Sequence, residues 1–426
     1  MVAPEVLKRA IAAQREMALA LFARLAEGSA GNPGIIRDTY GTGENFGHEV
    51  FAQAARAAGL DIQRDAAANT YASWVGLDRS RPRILMGSHL DSVAHGGNFD
   101  GAAGVVAGLV VIAALRELGL QPQCDVTVMG VRAEESVWFE VSYIGSRSAL
   151  GTLPDGALEN RRIDTERSLA EHIAACGGDP ERLRRRERFL DPANIRAFLE
   201  LHIEQAPSLV EAGYPVAICT GIPGNFRFPN AKVTGRHDHV GTPRRFRHDA
   251  AMASVAFAKA LDEIWAEHEA ADIPVAMTFG RFHTDATKHG LTTVAGAFHF
   301  SLDVRAYDTE VLAKIEARLP AIVDRIEAER RVEFDLGQRA SSAVGLVDRD
   351  IVAGFTEAAA RLGVRAMPLG SPASHDSAAF AAAGVPSAML FVRNENGSHN
   401  PDERMEIEDF LDACAVMADW VAHNAT

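Results

Sequence analysis

The chain has 426 residues, more than a typical domain of ~100–200 residues, so two domains or one domain with a large insertion are expected. With 47% hydrophobic and 23% charged residues it lies among chains able to bury a core, which excludes extensive disorder. Its 43 Lys and Arg against 57 Asp and Glu leave a net charge of −14, which speaks against nucleic acid and membrane partners, since phosphate binding needs clustered positive charge, and points to a small-molecule substrate.

The N-terminal segment VLKRAIAAQREMALALFARLAEG spaces apolar residues three and four apart and stops at Gly28, predicting a helix. ENFGHEVFAQAARAAGL repeats the pattern. Charges at Glu5, Lys8, Arg9, Arg15 and Glu16 occupy the place where a signal peptide needs an apolar core, so a cytoplasmic location is expected. Four cysteines without CxxC pairing fit the same compartment as packing residues. RILMGSHLD and CDVTVMGVRAEE then read as buried strands flanking the helix GVVAGLVVIAALRELGL, which is a βαβ unit and hence an α/β sheet. RLRRRER at 182–188 lies among acidic residues and reads as a solvated face.

From Val216 to Leu336 the segments VAICTG, AKVTG, VAMTFGRF and VAGAFHFSLDVRA read as strands, interrupted by two long helical patterns in the order of a βαββαβ sandwich. The expected organisation is therefore a catalytic domain over 1–215 and 337–426 with a central mixed sheet flanked by helices. A ferredoxin-like α+β lid or dimerisation domain is inserted over 216–336.

Polar residues at strand ends carry the chemistry. In GSHLDSVAHGGNFDG the apolar run ends in His89, Asp91 follows two residues on, and Asp100 lies in a glycine-rich loop, where α/β sheets place their sites. Asp91 points to the same side of an extended chain as His89 and is placed to orient its imidazole. Glu134 and Glu135 end the next strand; two adjacent carboxylates are costly unless a cation or a proton separates their roles. His202 in LELHIEQ and His399 in NGSHNPDE complete a nitrogen and oxygen donor set suited to zinc, manganese, cobalt or nickel.

The segments GSHLDSVAHGGNFDGAAGV, AEES, ELHIEQ and GSHNPDE resemble, in this order, the zinc-dependent amidase family of N-carbamoyl-L-amino-acid hydrolases, beta-ureidopropionases and allantoate amidohydrolases. The resemblance implies two divalent metal ions per subunit, zinc by the family's pattern, with Asp100 bridging, His89 and His202 on one side and Glu135 and His399 on the other. It implies that Glu134 is the proton-transferring base, that Asp91 orients His89, and that the Asp100–Gly101 peptide is cis. It further implies that His239, in GRHDHVGTPRR, reaches the partner subunit's site in a homodimer formed through the inserted domain. Gln205 matches a substrate-amide contact and Arg305 an arginine that holds the substrate carboxylate.

Departures from the family pattern fall at Val137 and Trp138, at Thr292 where an asparagine is usual, in the shortened HVGTPRR, and at Arg393. They are expected to bear on substrate. The activity this implies is hydrolysis of the linear C–N bond of an N-carbamoyl (ureido) amino acid or related amide. Hydrolysis of an N-acyl amino acid or dipeptide at the same centre is the enzymatic alternative, and a metal-bearing binding protein the non-enzymatic one. Retention of Glu134 argues against the last, because a binding site needs no unligated base.

Overall fold

The computed structural model describes residues 2–425. They form two compact units, 2–222 with 346–425, and Pro223–Gly345. In the larger unit an eight-stranded mixed sheet is built from β1 (Asp61–Arg64), β2 (Thr70–Trp74), β3 (Arg83–His89), β4 (Val126–Val131), β5 (Ile195–Ile203), β6 (Val216–Cys219), β7 (Ala366–Leu369) and β8 (Ser387–Val392). Their order is β1-β2-β4-β3-β5-β8-β6-β7. The central run β4-β3-β5-β8 is parallel throughout, whereas β2 joins β4, and β6 joins β8, antiparallel.

The parallel run is covered on both faces, which is why β4 and β8 are buried at every position and read as unbroken apolar segments. The helix Ala102–Glu117 packs on β3, β4 and β5 and is itself wrapped by the helix Ile407–Ala425. Apolar all round, it is a core helix. Gly104 lets it approach the sheet, since a Cβ there would lie 2.4 Å from the Leu201 carbonyl oxygen. The N-terminal pattern that reads as one helix is two, Pro4–Ala12 and Arg15–Gly28, separated by a turn at Ala13–Gln14. No helix among the described residues is long and apolar enough to cross a membrane.

The strand Val216–Cys219, expected in the insertion, pairs instead with β8 and β7 in the large sheet. It is buried on both faces, a composition that a one-sided sheet would leave half exposed. The second compact unit accordingly spans Pro223–Gly345, not 216–336. Its sheet places Phe282–Thr284, Ala297–Ala306, Gly224–Thr234 and Glu333–Asp335 side by side. Strict alternation along Ala297–Ala306 sends Phe298, Phe300, Leu302 and Val304 beneath the helices Ala250–Ala270 and Thr309–Arg330. Asp303 and Arg305 fall on the other face.

Candidate metal centre and active site

His89 is the last residue of β3, His202 the penultimate residue of β5, Glu134 and Glu135 lie just beyond β4, and His399 follows β8. Adjacent parallel strands thus deliver all five side chains to the carboxyl edge of one sheet. Asp100 comes from the loop before the core helix. A Cβ at Gly101 would sit 2.5 Å from the His89 ring, so only glycine lets this loop fold onto the histidine.

The ligand atoms gather in two groups that share one carboxylate: His89, Asp100 and His202, and Asp100, Glu135 and His399. Asp100 Oδ1 lies 3.4 Å from His89 Nε2 and 3.2 Å from His202 Nε2. Its Oδ2 lies 3.4 Å from His399 Nε2, which is 3.3 Å from Glu135 Oε1. His202 Nδ1 faces the Ile203 carbonyl at 2.9 Å, while its Nε2 accepts the Gly101 amide at 3.2 Å. An Nδ1 proton donated to that carbonyl leaves Nε2 as the acceptor nitrogen, which here takes the Gly101 amide. His89 Nδ1 is likewise held, by the Asp91 carbonyl at 3.1 Å.

Burial opposes charging His89, but the Asp100, Asp91 and Glu134 carboxylates outweigh it and hold its pKa well above the ordinary histidine value. His202 is raised in the same way, against burial, by Asp100. Glu135 is the main cause that lifts His399 to about 9. Conversely, the two histidines hold Asp100 well below the carboxylate range despite its burial. Asp100 Oδ1 is moreover buried with no hydrogen-bond partner. An anionic donor set converging on this buried carboxylate fits a divalent cation, which would supply the positive charge these groups attract.

Glu134 differs from its neighbour. Its carboxylate accepts no hydrogen bond among the described residues, and burial, with repulsion from Glu135, raises its pKa well above the carboxylate range. Asp91 ties the pieces together. Its Oδ1 lies 3.4 Å from His89 Nδ1 and accepts the Glu134 amide at 3.0 Å, and its Oδ2 accepts the Glu135 amide at 3.2 Å.

Supporting residues hold these ligands in place. Arg37, fully buried, donates to the Leu90, Asn98 and Asp100 carbonyls and so fixes the Asp100 loop. Glu403 accepts the Phe99 and Asp100 amides, and Ser398 Oγ bridges Glu403 to Asp100 Oδ2. Glu403 lies inside the quoted segment GSHNPDE, so that motif already contained it; Arg37 stands in no motif. Gln205 donates from Nε2 to Asp100 Oδ2 at 2.8 Å, leaving its buried Oε1 without a partner.

The structure does not gather every residue of the sequence reading into this cluster. His239, Thr292 and Arg305 belong to the second unit. There His239 is exposed on a two-residue strand paired with Thr293–Val294, and the Val240 amide donates to the Thr292 carbonyl at 2.9 Å. Arg305 pairs through Nε with Asp303 at 2.8 Å.

One expectation is corrected. The Asp100–Gly101 peptide is not cis; the cis bond among the described residues is Asn32–Pro33, and the turn is made by the positive φ of Gly101. Trp138, one of the departures from the family pattern, is buried, donates Nε1–H to the Ser92 carbonyl at 2.9 Å and carries the Arg162 guanidinium 4.7 Å above it. Arg393 is committed to Asp409 at 2.8 Å. These two departures are explained by packing and ion pairing.

A mixed α/β sheet with this donor set at its carboxyl edge defines a metal-dependent hydrolase. The chain belongs to the peptidase family M20/M25/M40, whose pattern it matches over residues 85–423. It is 34% identical over 410 residues to an N-carbamoyl-L-amino acid amidohydrolase of Geobacillus stearothermophilus, covering 95% of this chain and 97% of that protein. To the allantoate amidohydrolase of Escherichia coli K12 it is 28% identical over 372 residues, with 87% and 88% covered. A solved hydantoinase/carbamoylase family amidase from Burkholderia ambifaria matches with a TM-score of 0.81 at 29% identity, covering 97% of this chain and 98% of that one.

Proposed function

We propose that the protein is an amidohydrolase that cleaves the linear C–N bond of an N-carbamoyl (ureido) L-amino acid or a closely related amide. The observation that carries this reading is the division of Asp100, whose two oxygens face different triads while Glu134 stands beside them unligated. Similarity to amidohydrolases of N-carbamoyl amino acids and of allantoate supports the substrate class.

Two divalent ions, zinc by the donor types, would be held by His89, Asp100 and His202 and by Asp100, Glu135 and His399; manganese, cobalt and nickel suit the same donors. Such ions supply Lewis-acid chemistry, acidifying water and polarising a carbonyl. Glu134, with its raised pKa, takes the proton of the attacking water as the oxygen bonds to the carbonyl carbon. It returns that proton to the nitrogen as the C–N bond breaks, and the carbamate released decomposes to ammonia and carbon dioxide. The orphaned Gln205 Oε1 is an acceptor suited to the substrate amide N–H. Unpaired cysteines support a reducing, cytoplasmic setting.

The test is release of ammonia and amine from N-carbamoyl, ureido, N-acyl and dipeptide substrates with metal replenished. N-carbamoyl-L-amino acids are expected to exceed the N-acyl series in kcat/KM by about tenfold or more, a difference of ~1.4 kcal/mol in transition-state binding. Faster N-acyl or dipeptide cleavage would replace this substrate assignment.

Arg305 is assigned the substrate carboxylate, a planar fork matched to a planar acid, with Asp303 holding it meanwhile. Arg305→Lys keeps the charge and loses the bidentate geometry, so kcat/KM should fall by about tenfold or more. Equal rates of the parent on a free acid and on its amide would remove Arg305 from the substrate site.

We also assign the second unit the role of dimer interface, with His239 and the neighbouring Thr292 serving the partner subunit's site. The exposure of His239 supports this.

A further inference from the structure

Beyond β4 the backbone leaves the sheet, yet its polar groups remain paired. The carbonyls of Arg132, Ala133 and Glu134 accept from the amides of Gly145, Ile144 and Tyr143 at 2.9, 2.9 and 3.1 Å. The amides of the same stretch have no strand to bond with, and side chains stand in for one. Arg132 N–H donates to Asn69 Oδ1 at 2.8 Å, Ala133 N–H to Glu44 Oε1 at 2.8 Å, and Glu134 and Glu135 N–H to the two oxygens of Asp91. Four consecutive amides, ending at the two working glutamates, are thus held by three buried side chains. Ala133 sits at φ +57, which a residue with a side chain adopts only where its surroundings enforce it.

Glu44 is fixed in turn. Its Oε2 accepts the Tyr40 amide at 2.6 Å and Arg132 Nη1 at 2.8 Å, and Arg132 Nε donates to the Ala68 carbonyl at 2.9 Å. Both members of this ion pair are 2% exposed or less. Stability alone does not explain such a pair, since well-packed apolar side chains commonly replace one without loss.

We infer that Glu44, with Arg132 as its counter-charge, is a positioning residue for the reaction: by gripping the Ala133 amide it sets where Glu134 and Glu135 project. The inference rests on the proposed roles of those two glutamates. A displacement of about 1 Å in such groups is enough to cost ~10²-fold in rate.

Two double variants isolate the contact. Glu44→Gln/Arg132→Met and Glu44→Leu/Arg132→Met both remove the buried charges, but only the first keeps an oxygen for the Ala133 amide. The leucine variant should show kcat at least about tenfold below the glutamine variant, at similar melting temperature and with KM within about threefold. Its Co(II)-loaded form should show an altered visible spectrum, because the Glu135 donor has moved. Equal kcat and equal spectra in the two variants would overturn the inference. Hydrogen exchange in the unmodified holoenzyme gives a reading that needs no variant to fold: the amides of residues 133–135 should open only with global unfolding. Loop-like rapid exchange there would also overturn it. The spectrum and the exchange are read without substrate, so an inactive substrate panel would refute the proposed reaction and leave this inference to be judged separately.

Discussion

Glu134→Gln is expected to lower kcat by about 10²-fold or more while leaving the metal content of the dialysed protein at the parental level. Glu135→Gln is expected to do the reverse in kind, losing bound metal and activity with it. The difference follows from geometry one residue apart. Glu135 Oε1 faces His399 Nε2 at 3.3 Å within a ligand triad, whereas the Glu134 carboxylate accepts no hydrogen bond among the described residues. A neutral amide still occupies the Glu134 position but cannot carry a proton, and at Glu135 it is a poorer donor to a divalent cation than a carboxylate. Metal analysis beside turnover decides the matter: metal loss with near-normal turnover in Glu134→Gln would exchange the two roles.

The second large effect concerns assembly. If His239 completes the partner subunit's site, homodimers of Glu134→Ala and of His239→Ala should each be nearly inactive. Subunit exchange between them should then restore activity, because one of the two sites in each heterodimer is intact. Random exchange makes half the dimers heterodimers, so recovery should reach roughly a quarter of parental activity. Absence of recovery in verified heterodimers, or full activity of a monomeric parent, would show that His239 acts within its own chain or serves only structure. The shortened HVGTPRR loop that carries His239 makes the measurement decisive for this chain.

Much of the site was legible because its ligands end apolar runs. A buried strand has no local use for His89, Glu135 or His202, so a polar residue where the run stops marks an edge at which it can be solvated or ligated. The same periodicity announced the βαβ unit and the alternating strand Ala297–Ala306. The contacts that hold those ligands were not legible, even where a motif contained the residue. Arg37 meets Asp100 across 63 positions, Glu44 meets Ala133 across 89, and Glu403 meets Asp100 across 303. Nor does any local pattern show that Trp138 donates to Ser92 or that Arg393 pairs with Asp409. Val216–Cys219 joins the large sheet, not the insertion; a short apolar run does not say which sheet it joins. The sequence by itself determined the strand ends and the donor types, since these depend on neighbours a few residues away. The tertiary structure decided which donors gather around Asp100 and which glutamate stands outside those groups, because those contacts depend on the order of strands in the sheet, which no local pattern encodes.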